Sequence, residues 1–264
     1  MDASLAAAAT APLLIVRRDD GVVRLTLNRP SQFNALSEEM LAALQSALDR
    51  IAADSGARVV VLAAAGKAFC AGHDLKEMKA DPRLAYYQQL FERCSKLMLR
   101  IQSMPQPVIA RVHGLATAAG CQLVAMCDLA VASTEARFAV SGVNFGLFCA
   151  TPSVALARNV GRKAAFEMLV TGEFIDAETA LARGLINRFT RPDELDQAVE
   201  QLAGAIVAKP ALAIGMGKQM FYRQQEMGIA AAYQLAGQVM ACNMADDVAQ
   251  EGVAAFIEKR KPAW

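Results

Sequence analysis

The sequence predicts an α/β fold: a largely parallel sheet wound with helices over the first two thirds, then a helical C-terminal third. Three observations carry this. Continuous apolar runs at residues 59–63, 108–112 and 129–132 have the texture of parallel strands buried on both faces. Two Gly-containing segments, Phe69-Cys70-Ala71-Gly72-His73-Asp74-Leu75 and Gly114-Leu115-Ala116-Thr117-Ala118-Ala119-Gly120-Cys121-Gln122-Leu123, each leave an apolar run and lead into a helix-like stretch. Beyond Gly146 the pattern is almost wholly helical. Strand, loop, helix and strand in that order imply right-handed crossovers between parallel neighbours.

The elements follow in order. Residues 1–12 are Ala-rich, carry Asp2 and lack both a basic n-region and an Arg-rich amphipathic pattern, so they read as a loose end and the compartment as cytoplasmic. Residues 13–16 and 22–27 read as strands joined by the polar turn Arg17-Arg18-Asp19-Asp20-Gly21. Ser37 before Glu38-Glu39 is an N-cap with an acidic first turn, opening a helix to about Asp54. A charged helical stretch follows Asp74, a helix spans 89–103 ahead of Pro105 and Pro107, and another runs from the second Gly segment to Met126. Residues 154–159, 163–171, 177–183 and most of 193–250 read as helices, with a β excursion at 185–188. The expected divisions are a core over 13–200 and a helical region over 201–264.

Composition excludes several function classes. With 264 residues and 55% hydrophobic content, the chain can bury one large core. Its net charge of +1, from 27 basic and 26 acidic residues, gives no global case for nucleic acid or an anionic membrane. No segment reaches the roughly 20 apolar residues of a membrane span. Six Cys and two His without metal-ligand spacing imply reduced, buried thiols and no metal.

The two Gly segments place free backbone N–H groups at helix N-termini, where developing negative charge is best stabilised. They also carry a resemblance. The runs 27–30 through Asn34-Ala35-Leu36, 69–75, 112–128, 169–173, 180–186 and 251–260 occur in the order of the crotonase superfamily, the enoyl-CoA hydratase/isomerase family. The chain resembles that family from about Leu13 to Trp264. The resemblance implies a ββα spiral core with a C-terminal helical region that mediates trimerisation, commonly into a hexamer. It implies an acyl-CoA thioester as ligand, with coenzyme A as part of the substrate and no tightly bound cofactor. Its carbonyl oxygen would accept the N–H groups of His73 and Ala119. Asn34, Ala35, Leu36, Ala71, His73, Asp74 and Leu75 match the clasp for the coenzyme, while Phe256 and Lys259 match positions that reach a neighbouring subunit's coenzyme.

The chain departs from the pattern at both hydratase glutamates. Gln122 and Gly142 stand at these positions, and adding water across a conjugated double bond needs proton transfers that neither can make. Hydration is therefore expected to be weak or absent. His73 supplies an imidazole beside the site, and Cys149 stands where some members carry a catalytic aspartate. Three classes stay open: an enzyme of another thioester reaction (isomerisation, decarboxylation or hydrolysis), a non-catalytic acyl-CoA-binding protein, or a structural partner of related subunits.

Overall fold

The computed structural model of the chain describes residues 11–264, so the expectation for residues 1–12 falls outside the described residues except at its last two positions. β1 (Leu14–Asp19) and β2 (Val22–Leu27) form the expected antiparallel hairpin. α1 (Glu38–Ala52) begins at the expected cap, where Ser37 Oγ accepts the Met40 N–H at 3.2 Å. Glu38 and Glu39 lie against the positive end of its dipole. Its inward stripe of Met40, Leu44, Leu48 and Ile51 is buried.

From there the chain repeats one motion: a strand joins a large sheet, a short strand joins a second sheet, and helix returns. The first round is β3 (Val59–Ala64), β4 (Ala68–Cys70), α2 (Leu75–Ala80) and α3 (Leu84–Ser103). The second is β5 (Val108–Val112), β6 (Leu115–Thr117) and α4 (Ala119–Met126). The third is β7 (Leu129–Ser133), β8 (Arg137–Ala139), a 3-10 turn at Ser141–Phe145, α5 (Ala150–Asn159) and α6 (Arg162–Thr171). β9 (Ile175–Asp176), α7 (Ala177–Ala182) and β10 (Arg188–Thr190) close the core, and α8 (Leu195–Val207), α9 (Ala211–Gln224), α10 (Ile229–Met244) and α11 (Asp247–Ile257) follow. The large sheet has the order β1-β2-β3-β5-β7-β10, parallel except at the hairpin. The small one runs β4-β6-β8-β9, parallel except at β9. This is the expected ββα spiral.

The continuous apolar runs are explained by two-sided burial. Val60 and Leu62 of β3 enter the main core, while Val59 and Val61 meet Ile109, Val131 and the inward face of α8. Three readings are corrected. The small sheet was not foreseen, because strands of two or three residues have no room for a period. α3 starts at Leu84, five residues before the expected Gln89, because its uncharged opening Leu84-Ala85-Tyr86-Tyr87-Gln88 lies ahead of the buried stripe Leu90, Cys94, Leu97 and Ile101. The 185–188 excursion is a turn with β10 starting at its end. The helices read over most of 193–250 are α8 to α11, parted at Pro210 and Gly228. Residue 200 lies within α8.

A buried ion pair ties α9 to the core. Lys218 Nζ donates to Asp128 Oδ2 at 2.7 Å and to the carbonyls of Ile101 and Gln106 at 2.8 and 2.9 Å. Tyr222 donates its hydroxyl proton to Asp128 Oδ1 at 2.8 Å. Beyond α9 the burial thins, and Ile229, Tyr233, Met240, Phe256 and Ile257 present apolar surface on α10 and α11.

Candidate active site

The site is assembled at one edge of the small sheet, where β4, β6 and β8 lie side by side and end together. Cys70 pairs with Ala116 and Thr117 with Ala139, so the residues leaving these strands converge: 71–73, 118–119 and 140–142. Ala118 extends the ladder by donating to Ala139 O at 3.0 Å and has φ +50°, which turns the chain sharply into α4. Ala119 is thus the first residue of that helix, and its N–H has no intrahelical acceptor.

Gly72 faces this turn with φ +95°. A Cβ there would stand 3.0 Å from Ala118 Cβ and 3.3 Å from the Ala119 amide nitrogen, so any side chain would cover that amide. The Gly72 carbonyl accepts the Leu36 N–H at 2.8 Å, and the Asp74 N–H reaches Leu36 O at 3.4 Å. That bridge pins residues 34–36 beside 72–74 and leaves the His73 N–H between its two hydrogen bonds. Among the described residues neither the His73 nor the Ala119 amide donates to a protein acceptor. The helix dipole of α4 adds positive potential at Ala119.

The His73 ring packs edge-on to Phe91 of α3 with ring centroids 5.6 Å apart. Both ring nitrogens are shielded and without a partner among the described residues. Burial pushes its pKa down, partly opposed by the Leu36 backbone.

Gln122 lies one turn into α4, 4% exposed, with its side-chain oxygen unpartnered. It lines a cavity of ≈ 730 Å³ between α3, α4, α5 and α9, whose walls include Met98, Leu99, Met126, Val154 and Tyr222. Gly142 sits in the 3-10 turn after β8, and this turn closes over the space a side chain would need. A Cβ there would meet Leu147 O at 2.5 Å and Cys149 Sγ at 2.7 Å. The Gly142 N–H donates to Cys149 Sγ at 3.3 Å. Burial pushes the Cys149 thiol up despite that hydrogen bond, which makes it a poor nucleophile. Beside the turn, the Ser141 and Thr117 hydroxyls hydrogen-bond each other at 2.8 Å.

The expected coenzyme residues divide. Asn34 is fully buried and its amide is committed to the chain: Oδ1 accepts the Arg29 N–H, and Nδ2 donates to Ala65 O and Ala68 O, each at 2.8 Å. Its side chain is therefore a bracket between loops, leaving its backbone as what it can offer a ligand. Ala35 and Leu36 are buried and can offer only backbone. Ala71 donates to Phe33 O at 3.1 Å. Asp74 caps α2 and pairs with Arg29 at 3.2 Å, while Leu75 is exposed. Phe256 and Lys259 lie on the surface at the far C-terminal end, and no hydrogen bond or ion pair among the described residues joins them to this cluster. Arg260, in the same basic run, is committed to Glu251 at 2.5 and 2.9 Å.

Among the described residues no group of three His, Cys, Asp or Glu could hold a metal ion, and no single helix is long and apolar enough to cross a membrane. Five cysteines are buried, as expected; Cys242 is exposed.

Residues 17–264 match the enoyl-CoA hydratase/isomerase family. The chain belongs to that family. Among members of the enoyl-CoA hydratase/isomerase family, it is 46% identical over 253 residues to enoyl-CoA hydratase domain-containing protein 3, mitochondrial, of Xenopus laevis, covering 96% of this chain and 86% of that protein. It superposes on the crystal structure of an enoyl-CoA hydratase of Mycobacterium smegmatis with a TM-score of 0.95 and 65% identity, over 96% of this chain and 99% of the other. On the structure of human enoyl-CoA hydratase domain-containing protein 3 the TM-score is 0.93 at 45% identity, over 96% and 100% of the two chains. The frog, human and rat relatives of that name are all called mitochondrial. This corrects the cytoplasmic expectation, which rested only on the composition of residues 1–12: the relatives point to mitochondria.

Sequence reasoning missed the cavity walls from α3 and α9, the Phe91 contact and the Lys218 clamp. Lys218 had a signal: with Ile214, Gly215 and Tyr222 it falls on one stripe of α9, where a lone lysine among inward positions needs a buried partner.

Proposed function

We propose that this family member binds acyl-CoA thioesters and stabilises negative charge on the thioester oxygen with the N–H groups of His73 and Ala119, while ordinary enoyl hydration is weak or absent. The observation that carries the reading is the pair of unspent amides at the ends of adjacent strands, opened to each other by Gly72. Donors already aimed and shielded from water cost no reorganisation as charge develops, and losing one typically raises the barrier by about 3 kcal/mol. The segments 34–36 and 71–75 offer a backbone cradle for the coenzyme. The apolar face of α10 and α11 supports self-association as a trimer, alone or paired as a hexamer, in which Phe256 and Lys259 would reach a neighbour's coenzyme. Coenzyme A enters as part of the substrate.

Hydration fails in this reading because Gln122 has neither an acidic proton nor a basic carboxylate, and Gly142 has no side chain. Crotonyl-CoA tests it: calorimetry for binding, and loss of the enoyl thioester absorbance for hydration. Saturable binding with little or no hydration is expected. Turnover like that of a competent hydratase would overturn the role given to Gln122 and Gly142. Absence of binding would overturn the thioester assignment itself.

A further inference from the structure

The cavity beside Gln122 is a trough walled by one stripe from each of three helices. Thr151, Val154, Ala155 and Arg158 follow the i, i+3, i+4, i+7 spacing of a single face of α5. Met98, Leu99 and Gln102 do so on α3. Tyr222 and Arg223 do so on α9, with Glu226 in the turn that follows it. Gln122 and Met126 of α4 complete the lining. At ≈ 730 Å³ the trough is of the size that small-molecule sites occupy.

The trough has a direction. Gln122 lies one turn beyond Ala119, so the inner end adjoins the proposed place of the thioester oxygen. Asn159 Nδ2 donates to Ala125 O at 2.9 Å, which lays the C-terminal end of α5 along the C-terminal end of α4. Arg158 therefore stands at the end away from Ala119, where its Nε donates to Glu226 Oε1 at 3.2 Å and Arg223 is a turn away. From Ala119 to Met126 the helix rises about 10 Å. Between the two ends the walls are apolar, and Leu99 and Val154 stand exposed there. An acyl chain leaving the carbonyl site along α4 would cover them. Its far end would then meet two guanidinium groups and one carboxylate. A methyl terminus strips water from these ions without replacing it. A carboxylate terminus gains charge-assisted hydrogen bonds, and a guanidinium can offer two at once. Arg158 shares its charge with Glu226, whereas among the described residues Arg223 makes no ion pair or side-chain hydrogen bond.

Resting on the proposed thioester binding, we infer that the acyl groups this protein takes carry a carboxylate at the end remote from the thioester, and that Arg223 holds it with help from Arg158. The ligands are ω-carboxyacyl-CoA thioesters whose chain spans the trough. Arg223 reads the terminus, the walls from α3 and α5 set the length, and Glu226 competes with the ligand for Arg158.

Octanoyl-CoA and suberyl-CoA, which differ in a terminal methyl against a terminal carboxylate, test this by calorimetry on the full chain, with crotonyl-CoA as the short reference. Suberyl-CoA is expected to bind about tenfold tighter than octanoyl-CoA. Arg223→Gln is expected to weaken suberyl-CoA about tenfold more than octanoyl-CoA. Glu226→Gln removes the competitor for Arg158 and is expected to tighten suberyl-CoA more than octanoyl-CoA, a gain that misfolding cannot produce. Equal affinities of the two ligands, or tighter octanoyl-CoA, would overturn the ω-carboxylate and leave the thioester reading standing. Equal effects of Arg223→Gln on both would overturn the placement of the carboxylate at that residue, and a Glu226→Gln protein no tighter for suberyl-CoA would overturn the share given to Arg158. Binding of crotonyl-CoA with neither longer thioester would overturn this inference alone. Binding of none of the three would overturn the parent reading.

Discussion

If the turn after β8 has closed over Gly142, then restoring the hydratase carboxylate there should damage the fold before it restores chemistry. A Cβ would lie 2.5 Å from Leu147 O and 2.7 Å from Cys149 Sγ, closer than non-bonded carbon contacts allow. The first contact is with backbone, so no rotamer change relieves it. Opening the turn means moving residues 142–149, and the Gly142 N–H to Cys149 Sγ bond and the Leu147 N–H to Gly142 O bond at 3.0 Å go with it. Overpacking of this kind costs about 1–3 kcal/mol. For a chain of this size each kcal/mol lowers Tm by roughly 2–4 °C. Gly142→Ala is therefore expected to melt a few degrees to about 10 °C below the unmodified protein in calorimetry. Gln122→Glu combined with Gly142→Glu is expected to gain no crotonyl-CoA hydration. Gly142→Ala with an unchanged Tm, or a stable double variant that hydrates, would refute the reasoning.

Two further outcomes follow from the C-terminal helices. Lys218→Met leaves Asp128 buried with one cation fewer, and breaking a buried pair from one side costs about 3–5 kcal/mol; chemical denaturation should show it, whereas a loss under 1 kcal/mol would mean that water reaches Asp128. The Glu251 carboxyl is held down to about 2 by Arg260 and the Ala263 N–H. Its folded pKa lies below the ordinary value, so the contribution to docking the tail is fully present above about pH 4.5 and fades as pH falls toward 2. Exchange protection of the Ala263 amide should follow that window, and protection unchanged at pH 2 would exclude Glu251 as the anchor.

Much of the large sheet was legible because its strands are long enough and wrapped on both sides. Val59 to Ala64 needs no partner information to be read as a buried strand, and Ser37-Glu38-Glu39 announces α1 by local chemistry alone. The small sheet was not legible, since Ala68–Cys70, Leu115–Thr117 and Arg137–Ala139 show no pattern at three residues each. It is nevertheless what aligns 72–73, 118–119 and 142. The two Gly segments were found from the sequence as separate turns, and their meeting is a tertiary fact. At Asn34 a match to a ligand-binding motif was visible, but the commitment of its side-chain amide to Arg29, Ala65 and Ala68 was not. The cavity was invisible because α3 and α9 are separated by more than a hundred residues.

The meeting of β4, β6 and β8 has a consequence for how this centre can be interrogated. In the proposed reading its charge-stabilising atoms are main-chain N–H groups, so a scan that trims side chains to methyl groups passes over Ala119 without altering it and at His73 removes only the imidazole. Loss-of-function surveys would therefore score the centre as tolerant, and drift at these two positions is cheap as long as the spiral still winds. Silencing it requires surgery on the polymer itself: an ester linkage in place of the amide at residue 119 deletes the one hydrogen in question and leaves every side chain in place.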